Sequence, residues 1–514
     1  MGTVKDDNVG LSSDESRLIS LGHKPELKRR YNFWSLMAYQ TSILCSWSCN
    51  IVLYYYIFTL GGPVCFVWGT VLVTVGQLLV MASLAEYCSI WPTAGGQQFY
   101  TQVVAPDKSR RFLSYLVGWC VLVGEISTSS SCALNSAEIV AALVEIIHPE
   151  VEWKPYMTWL IYSGFLVAPA VSNLLPKYLP ALQIFGAFFN ISNALIWAIV
   201  FLVLADKNSS KFVFTEFLNT SGWGPTGWVF ILSMYVPIYG LYGTDGVMHL
   251  AEEMKNASRD APRVMMWSMV WAGVTAWLSA IVMCYTVGPN WETYLEATSS
   301  YVAWFMDVLD STYGGGIWVA IMMMGLNYLI IVNMNTAGSR LAWSMARDRA
   351  FPWSDYFAQV NKRFEMPLRA LMGFIVLNLL TGLLVLGSQL AFYAIISGAA
   401  ITYHRDPISI LADGGYAVNV SSLLWSVIVV LFYIFPQYVP VAGEIANMNW
   451  AIVILAGVVA FAGVYWFWKG RHEYLIFNNS IIDDNVVIHG EAIVTGRNAA
   501  TTFGQAQEEK RSEL

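Results

Sequence analysis

Long apolar runs, each near the length of a bilayer crossing, follow one another through most of this chain. A helix rises 1.5 Å per residue, so about 20 apolar residues cross a hydrocarbon core of about 30 Å. On that measure the pattern predicts spans at 33–58, 64–90, 112–147, 155–175, 180–205, 227–252, 264–288, 315–345, 368–387, 390–403, 419–436 and 447–468. Two of them carry interruptions. Span 6 lies in FILSMYVPIYGLYGTDGVMHLAEEMKNASRDAPR (230–263), where Pro237, Gly240 and Gly243 break the run and Thr244–Asp245 restarts it. Unpaired backbone in a bilayer costs several kcal/mol per group, so a helix broken at depth survives only where it lines a cavity. Asp245 stands where an N-cap would, with the N–H groups of the second piece pointing into the break. Span 1 holds six hydroxyl, amide or indole groups within Thr41–Asn50. Helix packing or a proline kink would account for either feature alone. If the chain is two five-span halves, spans 1 and 6 correspond, and paired interruptions at corresponding positions mark a transport site.

Composition supports the same class. Of 514 residues 56% are hydrophobic and only 12% charged, with mean hydropathy +0.51. Soluble domains carry roughly 25% charged residues, so a chain of this length is an all-α, multi-span membrane protein. Its 22 Trp and 27 Tyr suit two membrane–water interfaces. The net charge is −7, and without a basic excess no nucleic-acid surface is implied. All seven cysteines fall in apolar segments without a CxxC pair, as buried small hydrophobes rather than a disulfide framework. Residues 1–30 lack an apolar core, so no cleaved leader is expected. With the N-terminus in the cytosol, twenty Lys and Arg fall on inner flanks and loops against three outside (Lys154, Lys207 and Lys211). Two glycosylation sequons, at Asn208 and Asn219, then lie in the exterior loop between spans 5 and 6.

Four stretches carry a resemblance: SLAEYCSIWPTAGGQQFY (83–100), RFLSYLVGW (111–119), GTDGVMHLAEEMKNASRDAPR (243–263) and SRLAWSMARDRAFPWSDYF (339–357). Together they resemble fungal amino acid/choline/GABA permeases of the amino acid–polyamine–organocation superfamily, from about residue 27 to 475. The resemblance implies about twelve transmembrane helices: two inverted five-helix repeats plus two, with helices 1 and 6 broken. It places a transporter domain at 31–470 between cytosolic tails 1–30 and 471–514. It further implies proton-driven uptake of amino acids, GABA, choline or related amines, with no cofactor or metal. The plasma membrane is the expected location, the vacuolar membrane the alternative.

On that resemblance a substrate carboxylate is held by Ser46, Ser48, Asn50 and the break Gly240–Tyr242–Gly243–Thr244–Asp245. Trp47, Tyr239 and Tyr242 wall its amine by cation–π contact, although core packing explains each ring equally well. Ser46, Trp47, Tyr242 and Asp245 are thus expected in one cavity. Glu86, Glu252 and Glu253, at cytosolic ends of spans 2 and 6, suit gate ion pairs. Asn327, Asn333 and Asn335 punctuate span 8, facing the cavity or neighbouring helices. Glu125, deep in GWCVLVGEISTSSSC (118–132), is the intramembrane carboxylate that stands out. It reads as a proton-coupling group, a counter-charge for a cationic amine, or a protonated structural Glu.

Other classes fare worse. A membrane enzyme needs clustered ligands or nucleophiles, but only His249 lies plainly within a span, without a metal-spaced partner in sequence. A nutrient sensor on a transporter fold would carry long signalling tails, where these have about 30 and 45 residues.

Span 10 is short. Leu390 to Ile401 runs directly into Thr-Tyr-His-Arg-Asp-Pro, and 12–14 helical residues cover about 20 Å of the required 30 Å. The resemblance implies a full span and a basic inner loop here, so about 20 residues look absent, and this form is expected to transport poorly. Restoring the stretch should rescue transport. Sequencing the transcript across 395–420 and assaying this form checks it, and robust uptake with no longer transcript refutes it. The charge asymmetry predicts both termini in the cytosol, and a protease-protection tag at residue 5 that reports the exterior refutes that.

Overall fold

The computed structural model describes residues 13–243, 245–387, 416–441, 447–449 and 451–475. Among these the chain is helical, with only three isolated bridges pairing extended backbone. Among the described residues seven helices are long and apolar enough to cross a membrane, including Gly62–Ile90, Arg110–Ile147, Leu179–Leu204, Ala257–Thr286 and Thr312–Arg347. Each expected span but the tenth meets helix at its place, with span 4 at Pro155–Asn173, span 11 at Tyr416–Tyr433 and span 12 at Ala451–Tyr465. Span 10 lies outside the described residues, as does Thr244.

Burial is inverted relative to a soluble protein. Phe188, Ile199 and Val203 of span 5 are exposed, while Glu125, Asp245, Asn333 and Arg340 are fully buried. Lipid-facing apolar surface and a polar interior produce this pattern.

Spans 3 and 8 pack along each other at the centre, span 7 lies on span 2, and span 1 rests on span 5. Small residues permit the close crossings. A Cβ on Gly273 of span 7 would come within 2.1 Å of Thr74, and one on Gly338 of span 8 within 2.2 Å of Phe374.

Both expected interruptions are present. Span 1 is divided into Phe33–Ile43, Ser46–Val52 and Tyr54–Thr59, with the main break at Leu44–Cys45. Span 6 is divided into Thr226–Ser233, Tyr235–Gly240 and Gly246–His249, followed by a 3-10 turn at Ala251–Glu253. The second piece is a single turn, too short for the helix dipole that the sequence suggested. Asp245 occupies its N-cap position without a side-chain cap bond, so that expectation is corrected.

One face of the bundle is closed by more than spans. Helix Ser13–Ser20 and the strand-like residues after it belong to the expected N-terminal tail, yet they pack against this face. Arg30 and Tyr31 donate their N–H groups to the Glu253 carbonyl at 2.8 and 3.0 Å, and Lys255 N–H returns a bond to Tyr31. At the other end Tyr474 and Leu475 are buried, and Leu475 N–H reaches the Asp348 carbonyl at 3.1 Å.

Candidate functional site

The two breaks face each other and are held by side-chain amides. Gln40 of span 1 donates to the Gly243 carbonyl of span 6 at 2.9 Å. Asn190 of span 5 donates to the Thr41 carbonyl at 3.0 Å. Gly240 lies against the span 1 piece, where a Cβ would sit 3.6 Å from Cys49 and from the Ser46 carbonyl. Gly243 has φ +79°, a backbone state that favours glycine.

Span 1 turns its patch to two sides. The Trp47 indole donates to Asn190 at 2.6 Å and stacks on Trp197 with ring centroids 5.7 Å apart. Ser46 and Trp47 line a cavity of about 160 Å³ with Asn190, Trp271 and Thr275. Asn50 donates to the Ala276 carbonyl and Ser279 of span 7, at 3.0 and 2.8 Å, and the Ser48 hydroxyl to the Cys45 carbonyl. The tyrosines of span 6 lie elsewhere: Tyr239 donates to Ser131 of span 3 at 3.1 Å, and Tyr242 bonds Thr128. Neither Tyr242 nor Asp245 is among the residues lining the cavity that Ser46 and Trp47 share. Ser46 and Trp47 sit against spans 5 and 7, because Asn190 and Trp197 claim the indole.

Tyr242, Tyr239, Tyr235 and Tyr56 form a continuous column, with neighbouring centroids 5.2, 6.4 and 5.5 Å apart. Tyr433 of span 11 joins at 5.2 Å from Tyr235, and Tyr438 at 6.2 Å from Tyr56. The column runs along the Ser131–Thr128 side of span 3, and Glu125 is one turn further on.

Glu125 does not stand alone. A ligating atom from each of Glu125, Asp245 and His249 lies within 4.8 Å of the other two, all fully buried. His249 Nδ1 donates to the Ala94 carbonyl at 2.9 Å, while Nε2 is 3.7 Å from Asp245 Oδ2. Gln97 also donates to Asp245 Oδ2, at 3.0 Å. The partnerless His249 of the sequence thus gains Asp245 one turn away and Glu125 from a span that sequence spacing could not connect. The letters of 93–97, TAGGQ, fell inside a recognised motif, but nothing in them signalled contact with His249.

Next to this group lies a layer of ion pairs. Arg340 Nε meets Glu253 at 2.7 Å with both side chains buried, and Arg347 makes a two-pronged contact with Glu252 at 3.0 and 3.2 Å. Ala94 N–H also donates to Glu252, at 3.0 Å. Glu86 is half-buried and joins no ion pair among the described residues, which separates it from the other two expected gate acids. Beside this layer Gln98 donates to Asp348 at 2.9 Å and to the Tyr474 hydroxyl at 3.1 Å. Burial, opposed by Arg347, pushes the Asp348 carboxyl up to about 6. Burial and then Arg347 hold the His23 imidazole well below its ordinary value. His23 belongs to the docked N-terminal segment and packs edge-on against Phe99.

All but one of the remaining candidates are hydrogen-bonded. Asn327 donates to Asn135 and Ser136, and Asn333 donates to the Tyr39 carbonyl at 3.3 Å. Asn335 is buried with neither amide atom hydrogen-bonded among the described residues. Asn208 and Asn219 lie in the expected loop, where each amide nitrogen donates to a carbonyl, those of Cys284 and Trp223.

Comparison with known proteins gives this arrangement its family. The amino acid permease family model matches residues 31–469. The chain is 27% identical to the choline transporter of Saccharomyces cerevisiae, over 90% of this chain and 85% of that one. It is also 27% identical to amino-acid permease 2 of Neurospora crassa, covering 90% and 88% of the two chains. The same identity links it to the amino-acid permease BAT1 of Arabidopsis thaliana, over 90% of this chain and 96% of that one. Matched over most of its length, the chain belongs to the amino acid permease family and is a multi-pass transporter of amino acids or amines rather than an enzyme.

Proposed function

We propose that this permease takes up a small amine-bearing solute across the plasma membrane, driven by the proton gradient, with both termini in the cytosol. GABA, choline, a polyamine and a neutral amino acid are the substrates to distinguish. The observation that carries the reading is the tyrosine column running down span 3 towards Glu125. Each ring face offers an amine about 0.5–2 kcal/mol of cation–π attraction, the larger value where water is excluded. The carboxylates beyond the column supply a counter-charge or a proton site. The relatives named for choline and for amino acids suit this reading, since both kinds of solute carry an amine or quaternary ammonium. The backbone and hydroxyls at the facing breaks remain the proposed seat for a substrate carboxylate. An uptake panel in a host lacking its own amine permeases tests the assignment. Failure to accumulate any of these solutes, or accumulation indifferent to a protonophore, overturns it.

Arg347–Glu252 and Arg340–Glu253 act in this reading as the cytosolic gate. They tie span 8 to the end of span 6 and leave the inner face shut. Replacing Arg347 by Gln should open that face, lowering accumulation while substrate exchange continues. A coupling of 1–3 kcal/mol shifts the inner-open equilibrium by about 5–150-fold. The charge-swapped pair Arg347→Glu with Glu252→Arg should recover much of the loss. Unchanged accumulation in the single variant removes the gate role.

Glu125→Gln should abolish concentrative, proton-coupled uptake while the protein still folds and reaches the membrane. The measurement is the steady-state accumulation ratio with and without a proton gradient, beside surface expression. Undiminished accumulation returns Glu125 to a structural role.

A further inference from the structure

The cavity of about 160 Å³ at the span 1 break lies apart from the tyrosine column and the Glu125 group, none of whose residues line it. Its walls are residues 44–47 at the break itself, residues of 190–195 in span 5 and residues of 271–278 in span 7. Ile191, Leu195, Trp271 and Leu278 are themselves exposed, so the cavity opens on the outer surface between spans 5 and 7. None of its lining residues is charged. Span 5 closes onto span 1 one turn earlier, where a Cβ on Gly186 would come within 3.4 Å of the Ser42 hydroxyl. The gap opens beyond that contact.

Around the break the polar side chains have spent their hydrogen bonds inside the protein. The Ser46 hydroxyl donates to the Leu44 carbonyl, and the Cys45 thiol and Trp47 indole both donate to Asn190. Asn190 in turn donates to the Thr41 carbonyl, and Thr275 to the Trp271 carbonyl at 2.9 Å. A polar occupant would find few free partners there. An apolar cavity of about 150 Å³ stays free of water yet takes up benzene, so the fitting occupant is hydrocarbon.

Depth decides which hydrocarbon. Residues 190–195 lie at least about 13 Å of helix from either end of Leu179–Leu204, close to half of a hydrocarbon core of about 30 Å. A lipid headgroup at the membrane surface does not reach that level, but the end of its acyl chain does. The four fused rings of a sterol exceed the room that one benzene ring fills, whereas about six carbons of a flexible chain match it. We propose that the terminal carbons of a phospholipid acyl chain enter this cavity between spans 5 and 7 and rest against the broken segment of span 1. On this side the break is backed by the bilayer rather than by protein.

The test places the full chain in phosphatidylcholine vesicles with a trace of phosphatidylcholine that bears a diazirine at the end of one acyl chain. After illumination, peptide mapping compares label on Ile191, Leu195, Trp271 and Leu278 with label on Phe188, Ile199, Val203 and Trp267. These controls lie on the same two spans and are more exposed, so ordinary lipid contact would favour them. The site instead predicts severalfold more label on the lining. Ala194→Phe, which fills the cavity from span 5, should remove that excess and leave the controls unchanged. A probe with its diazirine beside the headgroup should show no excess at the lining. Should Ala194→Phe fail to fold, the contrast between the two probes in wild type decides alone. Label no higher on the lining than on the controls overturns the site. So does an excess that survives Ala194→Phe or that the headgroup-side probe also gives. An excess given by a ring-labelled photoreactive sterol, and not by the chain-end probe, assigns the cavity to sterol and overturns the acyl chain.

Discussion

Everything in this molecule depends on how two broken helices meet their hydrogen-bonding needs where water is scarce. A carbonyl released from a helix in a bilayer costs several kcal/mol if left bare, more than the roughly 0.5–1.5 kcal/mol net value of an ordinary hydrogen bond. Gln40 and Asn190 answer that demand at Gly243 and Thr41. Each amide reaches from one span to the break of another. The bonds that rescue the backbone therefore also fix spans 1, 5 and 6 together, and loosening either break should disturb all three.

The charges follow the same logic. Arg340 and Glu253 are both buried, and removing one partner of such a pair typically costs about 3–5 kcal/mol because the other is left uncompensated. That penalty makes the inner layer firm only while both sides are in register. The docked N-terminal segment adds to it through backbone bonds to residues 253–255 and through the Arg29 guanidinium, which donates to the Met254 carbonyl. Its own ion pairs, Lys28 and Arg30 with Glu365, lie nearer solvent and count for less.

Much of the fold was legible because bilayer thickness imposes a length on every apolar run. The breaks in spans 1 and 6 were legible too, since Pro237, Gly240 and Gly243 and the polar patch of span 1 are anomalies at membrane depth. The direction each side chain takes was not. Trp47 was expected beside Tyr242, but the cavity it walls is shared with Asn190 of span 5, which claims its indole. Asp245 has the right residue type and position for an N-cap, but Gln97 and His249 compete for its carboxylate more effectively than one turn of backbone. Long-range partners of this kind leave no periodicity in a single sequence. The docking of residues 13–31 was hidden for a related reason, because polar composition reads as tail whether or not it finds backbone to pair with.

Span 3 explains how distant parts of the site communicate. Along one continuous helix, Arg110–Ile147, it presents Ser131 and Thr128 to the tyrosine column, Glu125 to His249 and Asp245, and Ser114 to Gln98 and Tyr474. Seventeen positions separate Ser114 from Ser131, about 25 Å at 1.5 Å each. A helix of that length is stiff, and it packs along span 8, which carries Arg340 and Arg347. Movement is therefore cheaper in the parts that lean on this pair: the single turn Gly246–His249 and the segment 93–97. These are short, irregular and held by a few identifiable hydrogen bonds rather than by a long packed face. A transporter must change its inner face without dissolving its core, and the division between rigid spans 3 and 8 and these two small segments meets that requirement.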